Sequence, residues 1–207
     1  MSVLSNLNSA INIFEARGHP SFHPHQVQTL KHLVGGQNCL NQLPCGSGKT
    51  YPGISLPSIL DILRDEFHHN ISSETRCLLI VPLINIFYSL EVDLVKLDIP
   101  YQFLTAGSSC FIDPAVKVVV LSPEKLLEKS TLKSITSLSW SAVILDEPHL
   151  ALGKLYTSLS LLQLKDDGFN DKFWYLAFAM FLMFCNTFDL LHNDSWNMCP
   201  RDLHTFF

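Results

Sequence analysis

The chain has 207 residues, a net charge of −5 and 16% charged residues. That length buries one α/β core with room for a small appendage and is too short for two such domains. The acidic balance excludes a broad basic footprint for nucleic acid, so any such contact has to be local. The six cysteines, Cys39, Cys45, Cys77, Cys110, Cys185 and Cys199, form no CxxC pair. This argues against a zinc site or a disulfide framework and suits reduced thiols.

The first seventeen residues lack a basic leader, and Asn6, Asn8 and Asn12 interrupt their apolar positions. They do not read as a secretory signal, and the protein is expected inside the cell, in the nucleus if eukaryotic and otherwise in the cytoplasm. Leu4, Leu7, Ile11 and Phe14 recur at helical spacing and predict an amphipathic helix over 3–16, closed by Gly18. A second helix is predicted over 24–34, with Pro24 near its first turn and Gly35-Gly36 ending it. Residues 38–43 (NCLNQL) predict a short buried strand and 50–64 a helix, with a glycine-rich loop between them. The run RCLLIV at 76–81 predicts a strand stopped by Pro82, and 83–97 the helix that follows. VKVVVL at 116–121 is the next predicted strand. Ser122-Pro123-Glu124 then reads as a helix start, with a hydroxyl cap, Pro at the first helical position and an acid in the first turn. WSAVIL at 140–145 predicts a further buried strand, ending in Asp146-Glu147. Strands that are apolar throughout and alternate with helices predict a parallel sheet with helices on both faces.

The loop LPCGSGKT at 43–50 carries the first chemical signal. Consecutive backbone N–H groups that curl around phosphate oxygens require glycines for close approach, a lysine for the terminal phosphates and a hydroxyl for Mg²⁺. Gly46, Gly48, Lys49 and Thr50 supply these in order, although Leu43 stands where the strict pattern begins with Gly. Asp146 and Glu147 carry the second signal. They close an apolar strand about a hundred residues later, at the end of the strands where open α/β sheets bind ligands. An Asp there holds Mg²⁺, while the adjacent Glu orients and deprotonates the water that attacks a γ-phosphate.

Four blocks now carry a resemblance. Phe22-His23-Pro24-His25-Gln26, LPCGSGKT, LLIVPLINIFYSL, and VVVLSPEKLL followed by VILDEPHL resemble the adenine-reading segment, phosphate loop, motif Ia, and motif Ib with DEAH-like box of superfamily-two helicases. They span 19–150 in family order and spacing, and the RecQ family is the closest likeness. The resemblance implies a RecA-like P-loop NTPase lobe over 22–150, with residues 1–21 as a helix and lead-in and 151–207 as a divergent tail. It implies ATP held by His19, His23, Gln26, Pro44, Cys45, Gly46, Ser47, Gly48, Lys49 and Thr50, with Gln26 on the adenine edge. Mg²⁺ falls to Thr50 and Asp146, and catalysis to Lys49, Asp146 and Glu147. Pro82, Leu83, Ser122 and Glu124 fall in segments that run along a single-stranded DNA track, and His149 matches the position that couples nucleotide to DNA. Pro148 replaces the usual Ala. The plainer readings remain beside these: the histidines as surface residues before a helix, and Ser122 as a helix cap.

Beyond 150 the resemblance stops, and no Ser/Thr-Ala-Thr motif, aromatic-rich loop or second lobe with its arginine finger is identified. FWYLAFAMFLMFC at 173–185 is apolar on every face. As a helix rising about 1.5 Å per residue it falls short of a bilayer core of roughly 30 Å, so a buried element is favoured over a membrane span. The expected function is a RecQ-like ATP-dependent DNA helicase lobe that binds ATP·Mg²⁺ and nucleic acid and is incomplete for unwinding without a second lobe or partner chain. The alternative is a non-catalytic nucleotide- or partner-binding remnant of a helicase. An unrelated P-loop kinase or ATPase is disfavoured, because SPEKLL and DEPH have no reason to occur together there.

Overall fold

Along the chain, a 3₁₀ turn at Val3–Asn6 leads into α1 (Leu7–Ala16), α2 (Pro24–Val34), α3 (Tyr51–Asp65), β1 (Cys77–Ile80), α4 (Ile84–Lys96), β2 (Tyr101–Leu104), β3 (Val118–Leu121), α5 (Pro123–Leu126), α6 (Lys129–Thr136) and β4 (Ala142–Leu145). This computed structural model describes residues 3–146 apart from 42, 45, 83 and 106, within one unit, Met1–Leu161. A second unit, Leu162–Phe207, lies outside the described residues. So do the readings placed on Cys45, Leu83, Glu147, Pro148, His149, the tail from 151 and the apolar run at 173–185.

The strands form one sheet in the order β2-β3-β1-β4, every pair parallel. Ile80 stands opposite both Leu121 and Leu145, so β1, β3 and β4 end level at their carboxyl ends. Pro82, Ser122 and Asp146 therefore sit along one edge of the sheet. β1 and β3 are buried at every position, which is why their sequences are continuous apolar runs. β2 and β4 flank them and are less buried; β4 is not the buried strand expected of WSAVIL, since it lies at the outside of the described sheet and leaves Val143 half exposed.

Topology puts helices on both faces. The crossover from β1 through α4 to β2 runs one way along the sheet, and that from β3 through α5 and α6 to β4 runs the other. Right-handed crossovers in opposite directions lie on opposite faces, and the reversal falls between β1 and β3. Cys77, Leu79, Val118 and Val120 share a core with Phe14 of α1, Ile59 and Leu63 of α3, and Phe87, Leu90 and Leu94 of α4. Leu78, Ile80, Val119 and Leu121, one residue out of phase, face the other way and are equally buried.

α1 buries Leu7, Ala10, Ile11 and Phe14, a stripe at helical spacing, and Gly18 (φ +94°) follows its last turn. α3 is buried on most sides, so the Ser55 hydroxyl, unable to reach water, donates to the Tyr51 carbonyl at 2.6 Å. At its far end Asp61 meets Lys117 Nζ at 3.0 Å and accepts from Thr75 at 2.7 Å, tying α3 to the amino ends of β1 and β3.

The strand expected over 38–43 does not form among the described residues, and Leu40 is largely exposed. Its sequence sets Cys39, Leu40 and Leu43 against three amide side chains, Asn38, Asn41 and Gln42, too little apolar surface to fill either face of a strand as RCLLIV does. Two elements went unpredicted: β2, four residues directly after Pro100, and α6, whose sequence KSTLKSIT buries only Thr131 and Ile135.

Candidate nucleotide site

The loop before α3 turns on two glycines in left-handed backbone, Gly46 at φ +79° and Gly48 at φ +71°. Side chains seldom tolerate that region, and at Gly48 a Cβ would also lie 2.5 Å from Gln26 Nε2. Left-handed residues at alternate positions curl successive N–H groups into a concavity suited to anions. The Ser47 N–H closes a turn on the Pro44 carbonyl at 3.3 Å, and the Tyr51 N–H bonds the Gly48 carbonyl at 3.2 Å as α3 begins. Thr50 stands at the N-cap with no side-chain capping bond, so the helix does not occupy its hydroxyl. Lys49 Nζ donates to the Leu43 carbonyl at 3.1 Å, bridging the two ends of the loop.

The first turn of α2 faces this loop. Pro24 pre-sets its helical start, and Gln26 Oε1 accepts the His23 N–H at 2.8 Å, satisfying a donor the helix leaves open. The other end of the same carboxamide donates to the Gly48 carbonyl at 3.0 Å. Gln26 is only 4% exposed. Beside it, His25 Nε2 lies 3.1 Å from the Ser47 carbonyl, and the His25 ring stacks on that of His23 at 5.6 Å. His23, Pro24, His25, Gln26, Gly46, Ser47 and Gly48 line an open cleft of about 320 Å³. The Ser47 hydroxyl in that lining is buried with no hydrogen-bond partner among the described residues. A phosphate oxygen would supply its acceptor, and the glycine cradle would supply amides, so these residues fit the phosphates of a nucleotide.

Asp146 comes to the same end of the sheet. Its N–H bonds the Ile80 carbonyl at 3.0 Å just after β4. Two residues earlier, Ile144 lies against the first turn of α3, where a Cβ on Gly53 would meet its Cδ1 at 2.5 Å. A glycine thus lets the helix after the glycine-rich loop settle on the strand that leads to Asp146.

His19 stands apart from the cleft lining. Its ring stacks on Phe14 at 4.1 Å, and Phe14, Phe22 and Tyr51 continue an aromatic row, the last two 4.7 Å apart. Burial, aided by the Arg17 charge, lowers the His19 pKa against an opposing pull from Asp98. The Tyr51 hydroxyl donates to the Pro20 carbonyl at 2.6 Å, and burial with the Glu15 charge pushes its pKa up to about 12. It stays a donor and pins the lead-in to the start of α3.

Of the positions read as a DNA track, Pro82 is buried just after β1. Ser122 caps α5, accepting from the Lys125 N–H at 3.2 Å, and Glu124 is exposed. The cap reading of Ser122 holds. The structure adds His25, which the sequence reading did not single out. Its partner is a backbone carbonyl, and that leaves no trace in residue type.

Residues 23–167 match the DEAD/DEAH box helicase family. The chain is also 28% identical over 149 residues to an ATP-dependent DNA helicase Q-like 5 of Arabidopsis thaliana, covering 70% of this chain and 15% of that protein. The matched span begins at the start of α2, takes in the glycine-rich loop and the acidic pair, and runs on to 167, past residue 150 where the motif resemblance stops. The chain belongs to the DEAD/DEAH box helicase family.

Proposed function

We propose that residues 22–150 are the ATP-binding lobe of a RecQ-like DNA helicase, taking ATP·Mg²⁺ on the amides of the loop before α3, beside the first turn of α2. One observation carries the reading: Gln26 and Gly48 meet at 3.0 Å in a cleft whose buried Ser47 hydroxyl has no partner among the described residues. Bound ATP·Mg²⁺ supplies a phosphoanhydride bond whose hydrolysis drives movement along nucleic acid. Lys49 exchanges the Leu43 carbonyl for phosphate oxygens, and Thr50 and Asp146 offer oxygens to the metal. Glu147 orients and deprotonates the attacking water, and His149 couples the site to DNA. Gln26 keeps, by count, one N–H and one oxygen lone pair for an adenine edge.

Single-stranded DNA is the proposed partner along Pro82, Leu83, Ser122 and Glu124. Pro82 and Ser122 follow adjacent strands in register at the point where the crossovers reverse. Main-chain groups there contact phosphates without a basic surface, which reconciles a DNA track with a net charge of −5.

Titration with a fluorescent ATP analogue tests the reading. Lys49→Ala weakens binding roughly tenfold to a hundredfold, the worth of a charge-assisted hydrogen bond. Thr50→Ala loses mainly the Mg²⁺-dependent part, and Gln26→Ala accepts GTP nearly as well as ATP. Wild-type affinity in Lys49→Ala would sink the assignment. The second reading, binding without turnover, rests on the charge-stabilising arginine standing on a second lobe in the family resembled, and a DNA-stimulated ATPase assay separates the two.

A further inference from the structure

His25 and Gln26 are consecutive residues that grip consecutive carbonyls, those of Ser47 and Gly48, at 3.1 and 3.0 Å. In a trans peptide the carbonyl and the following N–H lie in one plane and point in opposite directions. Holding the Ser47 carbonyl toward α2 therefore turns the Gly48 N–H to the opposite side of the loop, and holding the Gly48 carbonyl does the same for the Lys49 N–H. These are two successive amides of the cradle that Gly46 and Gly48 curve with their left-handed φ of +79° and +71°. A carbonyl only accepts, so Nε2 of His25 carries the ring proton toward it. The stacked His23 ring and the start of α2 at Pro24 limit where His25 can swing.

We infer that His25 is a positioning residue of the phosphate loop: its Nε2–H fixes the Ser47–Gly48 peptide plane and so presets the loop amides for a phosphate-bearing ligand. The inference rests on the reading of the cleft as a nucleotide site. Gln26 does the same for the next plane, so the two side chains set two adjoining planes from one helical turn. His25 itself need not touch the nucleotide.

The test compares His25→Leu and His25→Gln in the full 207-residue chain. Leu keeps bulk without a donor, whereas Gln places an amide N–H at a reach close to that of Nε2. In nucleotide-free protein, His25→Leu speeds amide hydrogen exchange at Gly48 and Lys49, leaves exchange in β1 and β3 unchanged, and His25→Gln restores the loop. In titrations, His25→Leu binds ATP·Mg²⁺ about fivefold to tenfold more weakly, the loss expected for one neutral hydrogen bond, while adenosine affinity holds and Gln rescues ATP binding. Loop exchange in His25→Leu equal to wild type would overturn the positioning role even if ATP binds well. Equal losses for ATP and adenosine, or no rescue by Gln, would overturn it too, since a general loosening does both. If wild type binds no ATP while loop exchange still follows residue 25, the positioning stands and the nucleotide reading falls.

Discussion

Gln26 reaches across 22 residues of sequence to hold the Gly48 carbonyl at 3.0 Å, and the same carboxamide holds the His23 N–H at 2.8 Å. One buried amide thus caps a helix and clamps a phosphate loop, so the start of α2 and the start of α3 are set relative to each other. This contact leaves no room at position 48. Gly48→Ala forces a side chain into left-handed backbone, roughly 1–2 kcal/mol of strain, and drives its Cβ to 2.5 Å from the Gln26 amide. The expected outcome is a loss of ATP affinity of tenfold or more with only a modest fall in melting temperature, because the loop yields before the core. Unchanged affinity in Gly48→Ala would show that the clamp does not shape the site.

A second close approach sets the loop over the acidic strand. The missing Cβ of Gly53 leaves space for Ile144, whose Cδ1 and Cγ1 would lie 2.5 and 3.1 Å from it. Gly53→Ala therefore overpacks α3 against β4, and overpacking in a dense core costs about 1–3 kcal/mol. Ile144→Ala alone opens a void and destabilises as well. Combined, the two substitutions lose less than the sum of the singles, a coupling that denaturant melts of the four proteins read out. Simple additivity would place the two residues out of contact.

Much of this architecture is legible in the sequence because burial on two faces demands unbroken apolar runs. RCLLIV and VKVVVL say so plainly, and both lie in the buried centre of the sheet. Edge strands do not write themselves so clearly. YQFL in β2 is half-buried and four residues long, and α6 carries a mostly polar sequence around two buried positions. NCLNQL erred in the opposite direction, since position before a glycine loop suggested a strand that its amide-rich composition cannot bury. At the candidate site, the glycines, Lys49 and Thr50 stand out in the sequence because the phosphate chemistry proposed for the loop constrains residue type. His25 does not, because a bond to a main-chain carbonyl constrains nothing in the partner's side chain.

Stability should also respond to acid through His19. Its folded pKa is held below the ordinary value of 6.5, first by burial and then by Arg17, so the folded state binds fewer protons than the unfolded one. Stability tied to the neutral ring is therefore complete above the unfolded value and is lost as pH falls through the folded one. Melting temperatures of wild type and His19→Phe, measured from pH 7.5 down to about pH 5, should diverge, with the wild type falling faster below about pH 6.5. Phe keeps the stack on Phe14 without a proton to gain. Parallel curves would remove His19 from the acid response.

Catalysis is the remaining question for the polypeptide by itself. The motifs assigned over 19–150 belong to a first lobe: a glycine-rich loop proposed to hold phosphates, an acidic pair, and strand ends proposed to follow a DNA backbone. In the family resembled, the arginine that stabilises charge on the transferring phosphoryl group stands on a second lobe, and such a finger is worth about 10³–10⁵ in rate in related phosphoryl-transfer enzymes. Without that charge partner, Lys49 and the loop amides would meet only part of the charge that develops on the transferring phosphoryl group. Affinity without appreciable turnover follows, since only interactions stronger in the transition state accelerate the step. The 207-residue polypeptide is therefore expected to bind ATP·Mg²⁺, to show negligible DNA-stimulated hydrolysis and no strand separation, and to gain both when a chain carrying an arginine lobe is added. Robust unwinding by the purified polypeptide, abolished by Glu147→Gln, would refute this and place the transition-state charge partner within these 207 residues.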